Sequence, residues 1–190
     1  SCYGVAERPG SAFDYSDYQT ALLADAVVYR VYGSDYSRAD EEILHPLLTG
    51  PLGCQDSPTI GGGRKTHRGR LRISARDLAR FGLLYLNGGV WNGERLISEE
   101  WIDFVRTPAP ATAETGNFYG GQWWLVPDDR DDVPKDAYST AGNRGQYVVV
   151  VPSHDLVIVR RGLDWGRQGF NRWDMTREVL KAFGAVSDDD

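Results

Sequence analysis

Two runs of β-branched residues constrain the fold of this 190-residue sequence more than any other feature. QYVVVV (146–151) and LVIVRRG (156–162) are separated by only four residues, PSHD. Such residues favour strands, and a connection this short joins antiparallel neighbours because a parallel crossover needs about a dozen residues or more. A third run, GQWWLV (121–126), contains the adjacent Trp123 and Trp124, which face opposite sides of a strand, so at least one is expected in the core. The sequence therefore predicts an antiparallel sheet in the C-terminal part of the chain.

The other periodic segments are predicted to be helical. Their apolar residues recur every three or four positions, and Ser, Asp or Gly stands where a helix would begin or end. In the clearest case, Ser74 is expected to cap the helix with Asp77 in a capping-box arrangement. Helices followed by antiparallel strands and a closing helix predict an α+β fold, an antiparallel sheet packed with helices. The expected helices cover residues 17–32, 35–53, 73–89, 98–105 and 173–183.

The length and composition fit one domain with a buried core, since 41% of the residues are hydrophobic and 25% are charged. We expect a single partial domain over residues 1–190. Residues 9–106 are expected to be mainly helical, 117–184 to hold the strands and the last helix, and 185–190 to form a tail. The chain begins with Ser1 and not with Met, so it is expected to be a portion of a longer protein, which leaves the cellular location open.

Charge and composition argue against several classes of function. A net charge of −6 and an isoelectric point near 5.1 argue against a nucleic-acid partner, which needs clustered Lys and Arg. The basic run GRKTHRGRLR (63–72) is expected to be a solvated loop. No stretch reaches the roughly 20 apolar residues of a transmembrane helix. Two cysteines, Cys2 and Cys54, and three scattered histidines show no zinc-ligand spacing. No metal and no cofactor is therefore predicted, and whether the cysteines pair is left open.

Two short stretches carry residues suited to chemistry. Tyr15-Ser16-Asp17 stands between a Pro-Gly turn and the first predicted helix, where Asp17 suits an N-cap and Tyr15 a staple-like aromatic. Asn143-Arg144-Gly145 stands just before QYVVVV, where a Gly-rich turn is ordinary. From the residues alone, each stretch is compatible with a structural role or with a place in an active site.

The order of several longer blocks resembles the C-terminal portion of the β-lactamase-like serine hydrolases, which include class C β-lactamases, penicillin-binding proteins and related esterases. The resemblance runs from about Pro9 to the last helix, and its middle block is the most specific. In chain order the blocks are PGSAFDYSDYQTALLADAVV, GRLRISARDLARFGLLYLNGGVWNGERLISEEWI, YGGQWWL and AGNRGQYVVVVPSHDLVIVRRG.

This resemblance implies an active site assembled from three elements. The first is the nucleophile in Ser-x-x-Lys, where the lysine helps to take the serine proton. The second is Tyr-x-Asn or a variant, whose tyrosine passes protons to the leaving group. The third is Lys-Thr-Gly, His-x-Gly or a looser variant on an edge strand, where the glycine lets the substrate approach and the next N–H contributes to an oxyanion hole.

The resemblance implies roles for two stretches of this chain. Tyr15 and Asp17 match the second element, although Asp17 accepts hydrogen bonds and lacks the amide N–H that Asn donates. Asn143-Arg144-Gly145 matches the third by position, without Lys or His. Arg144 would bind a substrate carboxylate, and the N–H of Gln146 would serve the oxyanion.

The first element is missing from this chain. Its lysines are Lys65, Lys135 and Lys181, and the residues three positions earlier are Gly62, Asp132 and Glu178. The resemblance therefore implies that an N-terminal portion supplies Ser-x-x-Lys, that this chain alone is inactive, and that the substrate is an ester, amide, peptide or β-lactam. The alternative is a non-catalytic protein that binds a peptide or carbohydrate on the same scaffold, since six Trp and ten Tyr offer faces for stacking.

Overall fold

The computed structural model describes residues 8, 10–60, 71–165 and 170–184, except for the side chains of Asp17 and Tyr18. These residues form two compact units. The first draws on segments 1–13, 82–89 and 97–190, and the second on 14–81 and 90–96. Most of the predicted basic loop and all of the predicted tail lie outside the described residues. The single partial domain stays a prediction.

The structure confirms an α+β fold with antiparallel strands. In the described part of the chain, the α-helices are α1 (Asp17–Asp25), α2 (Ala75–Leu86), α3 (Glu99–Arg106) and α4 (Arg172–Ala182). The strands are β1 (Val90–Trp91), β2 (Glu94–Arg95), β3 (Trp124–Leu125), β4 (Tyr138–Gly142), β5 (Gln146–Val151) and β6 (Leu156–Arg161).

The first unit is built on a four-stranded sheet in the order β3-β4-β5-β6, antiparallel throughout. The predicted hairpin is confirmed: β5 pairs with β6, from Gln146 opposite Arg161 to Val151 opposite Leu156. The sequence analysis missed β4, because its sequence YSTAG is short and contains small residues that favour strands weakly.

The core of the first unit lies around β5, whose residues Val148–Val151 are completely buried. Successive valine side chains point to opposite faces of the sheet. Val149 and Val151 pack in a cluster with Trp173 of α4, whereas Val148 lies beneath Gly82 of α2. The expected core tryptophan is Trp123, which is 3% exposed.

Gly82 lets α2 approach the sheet closely. A Cβ at this position would lie 2.5 Å from Cγ1 of Val157 and 2.9 Å from Cγ1 of Val148. A glycine inside a helix costs about 1 kcal/mol relative to alanine, so this close contact offsets an intrinsic disadvantage. The middle block of the resemblance thus contains a glycine with a packing role.

Gly82→Ala is expected to lower the free energy of unfolding by about 1–3 kcal/mol, because the added methyl group overpacks the contact with β5 and β6. Urea denaturation measures the change. Combining the substitution with Val157→Ala makes room for the methyl group, so the double variant should lose less than the sum of the two single losses. Strict additivity, or stabilisation by Gly82→Ala alone, would contradict this account.

The acidic loop 127–136, for which the composition predicts an exposed position, is tied to α4 by an ion-pair network. Arg130 bonds Asp132 at 2.8 Å and also contacts Asp174, while Arg177 bonds Asp132 at 2.7 Å. Hydrogen bonds from Arg130 and Arg177 outweigh the opposing effect of burial and lower the pKa of Asp132 to about 2. The loop is therefore only partly exposed.

The second unit begins with α1, which continues into a π-helical turn over Ala26–Val31, so the helix expected over 17–32 is confirmed. A second π-helical segment covers Asp40–Thr49 and contains Pro46. The expected start at Asp35 was wrong. The Asp35 carboxylate instead accepts the N–H of Ser37 at 2.8 Å, a local turn that competes with helix formation.

Buried Asp77 fixes the loop before α2 in the second unit. Ser74 caps α2 as predicted, accepting the N–H of Asp77 at 3.1 Å. The capping box is different from the expected one, because the Asp77 carboxylate accepts the N–H groups of Gln55 at 3.1 Å and Asp56 at 2.9 Å and pairs with Arg80 at 2.6 Å. Burial raises the pKa of Asp77, but these bonds outweigh it and leave the pKa below its usual value.

Candidate active site

Tyr15 lies in the extended segment that leads into α1. Its side chain is 47% exposed. Ser16 is the N-cap residue, with φ −132° and ψ 123°, and Asp17 is the first helical residue. The N-cap role considered for Asp17 therefore belongs to Ser16, and the Asp17 side chain lies outside the described atoms. Tyr15 therefore stands, half-exposed, on the segment that immediately precedes the helix start.

Asn143, Arg144 and Gly145 form the three-residue turn between β4 and β5, flanked by the pair Gly142 and Gln146. Arg144 and Gly145 both adopt left-handed backbone conformations, with φ of 61° and 78°. A side chain at Gly145 would collide with the guanidinium of Arg160 and the carboxylate of Asp164. This turn, residues 143–145, is the candidate substrate loop.

The Arg144 guanidinium stacks on Trp165, 3.7 Å from the ring centroid. Within the described part of the chain, no carboxylate lies at ion-pair distance from it, and the side chain is exposed. An aromatic face holds a guanidinium while leaving its edge available for hydrogen bonding. Arg144 is thus oriented and charged in a way that suits a carboxylate ligand.

A cavity of about 370 Å³ adjoins the candidate substrate loop. Two rings of its wall stack on each other, Tyr147 and Phe170, with their centroids 6.0 Å apart. Arg160, outside the lining, lies 3.7 Å from the centroid of Phe170. Together with the loop, the cavity is lined by Gly142, Tyr147, Asp164, Trp165 and Phe170. The sequence analysis missed Asp164, Trp165 and Phe170 because packing of the chain after β6 brings them to the loop, which no local pattern encodes. Gly142 and Tyr147 were missed although they lie beside the loop in sequence, because the motif does not include them.

Gln146 has a strand on each side, opposite Gly142 in β4 and Arg161 in β6. Its side-chain amide donates to the carbonyl of Gly162 and accepts a hydrogen bond of 2.8 Å from Arg161. β5 is thus an inner strand of the described sheet, whereas the resemblance implied an edge strand. The oxyanion role of the Gln146 N–H stays a prediction.

The predicted site residues fall into both units. Asn143, Arg144, Gly145 and Gln146 lie together in the first unit, and Tyr15 and Asp17 belong to the second. Among the described residues, no group of three His, Cys, Asp or Glu side chains is arranged to hold a metal ion. Cys54 is a free thiol in the described structure, while Cys2 lies outside it.

None of the helices in the described ranges is long and apolar enough to span a membrane.

The chain belongs to the beta-lactamase family, since the model of that family matches residues 4–160. Its relatives with this fold include hydrolases. One is the 6-aminohexanoate-dimer hydrolase of Paenarthrobacter ureafaciens, which is 32% identical over 191 residues and is matched over 92% of this chain. This chain spans 46% of that relative, or about half its length.

Solved structures show the same fold at lower identity. A beta-lactamase from Mycobacterium bovis superposes on 95% of this chain with a TM-score of 0.69 and 19% identity, and 67% of its own length is covered. A Bacillus anthracis protein named provisionally as a 6-aminohexanoate-dimer hydrolase gives a TM-score of 0.69 and 20% identity. That match covers 94% of this chain and 45% of the other protein.

Proposed function

We propose that this chain is the C-terminal portion of a β-lactamase-like serine hydrolase that works through an acyl-enzyme on an ester, amide or β-lactam. One observation carries the proposal: a hydrolase of this family is 32% identical over 92% of the chain. The lysines of this chain are not in Ser-x-x-Lys, so we place the nucleophile in an N-terminal portion of the same protein. The complete hydrolase below means this chain with that portion.

In the proposed reaction, the serine hydroxyl attacks the carbonyl carbon while the lysine amine takes its proton. Tyr15 passes a proton to the leaving group as its bond to the acyl carbon breaks, and Asp17 accepts a hydrogen bond in the same site. Water then attacks the acyl-enzyme, releasing the acid and restoring the serine hydroxyl. Arg144 binds a substrate carboxylate, and the N–H of Gln146 stabilises the oxyanion.

The name of the Paenarthrobacter relative gives one substrate to test. That protein is named for the 6-aminohexanoate dimer, whose linear form has a free carboxylate. Arg144 stacked on Trp165 would be the group that recognises such a charge. The rates with this dimer should be compared with those for a β-lactam and a neutral ester. All three would react through the same acyl-enzyme chemistry, so the shape of the pocket decides which of them is the substrate.

A reactive-serine probe tests the proposal directly. A fluorophosphonate should add once to the polypeptide that carries Ser-x-x-Lys, which intact-mass analysis of the purified protein detects. The same protein should hydrolyse 4-nitrophenyl hexanoate. The control is the same protein with the serine of that motif replaced by alanine, which should show neither. No adduct and no turnover with Ser-x-x-Lys present would contradict the proposal and leave the non-catalytic binding protein as the explanation.

A further inference from the structure

The end of β6 and the residues that follow it contact the candidate substrate loop. Arg160 donates from its guanidinium to the carbonyl of Gly145 at 2.9 Å. The backbone N–H of Gly162 reaches the same carbonyl at 3.1 Å, and that of Asp164 reaches the carbonyl of Arg144 at 3.2 Å. Two of the three loop carbonyls are therefore held by groups from residues 160–164.

Arg160 and Asp164 are joined by two parallel hydrogen bonds. Nη1 of Arg160 lies 2.8 Å from Oδ2 of Asp164, and Nη2 lies 2.7 Å from Oδ1. Both side chains are about one-fifth exposed. Such a fork fixes orientation as well as distance, which a single charge contact does not. Hydrogen bonds from Arg160 hold the pKa of Asp164 below its usual value despite partial burial, so the carboxylate is ionised at neutral pH.

The loop needs these hydrogen bonds because its backbone includes a conformation that is unfavourable for a residue other than glycine. Arg144 has φ 61°, a conformation that a residue with a side chain adopts only when its surroundings impose it. The neighbour of Asp164 is Trp165, on which the Arg144 guanidinium rests. The ion pair thus fixes Asp164, whose backbone N–H bonds the carbonyl of Arg144 and whose next residue carries the ring on which Arg144 stacks.

We infer that Arg160 and Asp164 are a positioning pair, which holds loop 143–145 so that Arg144 presents its charge to carboxylate-bearing substrates. The pair acts through the loop and does not itself touch the reacting atoms. The inference rests on the proposed hydrolase function for its kinetic consequence, whereas its structural part is independent of catalysis.

The structural part is tested by hydrogen–deuterium exchange on the purified protein that contains this chain. Asp164→Asn keeps the size of the side chain and removes its charge. It should speed exchange in residues 142–147 and 160–164 about tenfold, in line with the loss of charge-assisted hydrogen bonds. Asp164→Glu, which keeps the charge, should restore part of the protection.

Asp174→Asn is the matched control, because Asp174 pairs with Arg130 and Arg177 in the same unit and, among the described residues, forms no hydrogen bond or ion pair with the loop. It should leave exchange in 142–147 unchanged. Equal effects of Asp164→Asn and Asp174→Asn on that segment, or no effect of Asp164→Asn, would overturn the inference.

The kinetic part compares two esters of equal acyl length in the complete hydrolase. One is 4-nitrophenyl hydrogen adipate, which carries a carboxylate, and the other is neutral 4-nitrophenyl hexanoate. Asp164→Asn should raise KM for the adipate ester about tenfold and leave its kcat within about twofold, because uniform binding is lost. KM for the hexanoate ester should rise much less, because that ester has no carboxylate for Arg144 to bind.

The outcomes separate the two proposals. If the wild type fails the serine-probe test, the hydrolase function is wrong while the exchange result still decides the structural part. If the wild type turns over both esters and Asp164→Asn weakens both equally, the pair is only a stabilising contact and the positioning role is wrong.

Discussion

Asp77→Ala lowers the free energy of unfolding by about 3–5 kcal/mol, the expected cost of removing one partner from a buried charge pair. The side chain of Asp77 is completely buried, and its loss leaves the N–H groups of Gln55 and Asp56 and the guanidinium of Arg80 without their acceptor. Urea denaturation followed by circular dichroism measures the change. A natural domain is stable by only about 5–15 kcal/mol, so this variant should be close to unfolding at 37 °C.

The matched control is Asp103→Ala, which removes an exposed carboxylate from α3 and should change the free energy of unfolding by less than about 0.5 kcal/mol. Asp77→Asn keeps one acceptor oxygen and should fall between the two. Equal stability of Asp77→Ala and Asp103→Ala would show that the network around Asp77 contributes nothing to folding.

The same carboxylate gives the sign of the pH dependence. Its pKa in the folded state lies below the ordinary value, so its contribution is present above pH about 4 and is lost as the pH falls through the folded-state pKa. In the Asp77→Asn variant this part of the acid destabilisation should be absent.

Tyr15→Phe in the complete hydrolase is expected to lower kcat/KM about 100-fold to 10,000-fold, the usual range for losing a proton-transfer group. The change removes one hydroxyl from a side chain that is 47% exposed, so the free energy of unfolding should change little. Initial rates with 4-nitrophenyl hexanoate, together with the urea midpoint, separate loss of chemistry from loss of fold.

Tyr32 provides the control, since it lies in the same unit and is also 47% exposed. Tyr32→Phe should retain the wild-type rate. Full activity of Tyr15→Phe would remove Tyr15 from the proton path, and a similar loss in both variants would indicate a general disturbance of the unit.

Local patterns predicted the elements whose signals are local. The valine runs gave β5, β6 and their antiparallel pairing, and the helix starts at Ser74 and Ser98 were confirmed by hydrogen bonds of 3.1 and 3.2 Å. β4 was missed because a strand of small residues is held in place by its neighbours and not by its own preference. Asp77 was misread for a related reason: its partners are about 20 residues away in sequence.

The candidate site divides in the same way. Its motif residues, such as Tyr15 and Arg144, could be named from the sequence because the resemblance supplies an order of motifs. The stacking of Arg144 on Trp165 and the fork between Arg160 and Asp164 depend on how the chain folds back after β6. A local sequence pattern does not predict contacts between segments that are distant in sequence.

The two units alternate along the chain, which matters for recombination between homologous genes. Each unit is assembled from separate segments of the chain, and α2 passes from one unit to the other between Phe81 and Gly82. A single crossover between two homologous genes, placed anywhere inside codons 14–96, therefore makes both units chimeric. Segment exchange in this region would therefore combine packing partners from two parents within each unit.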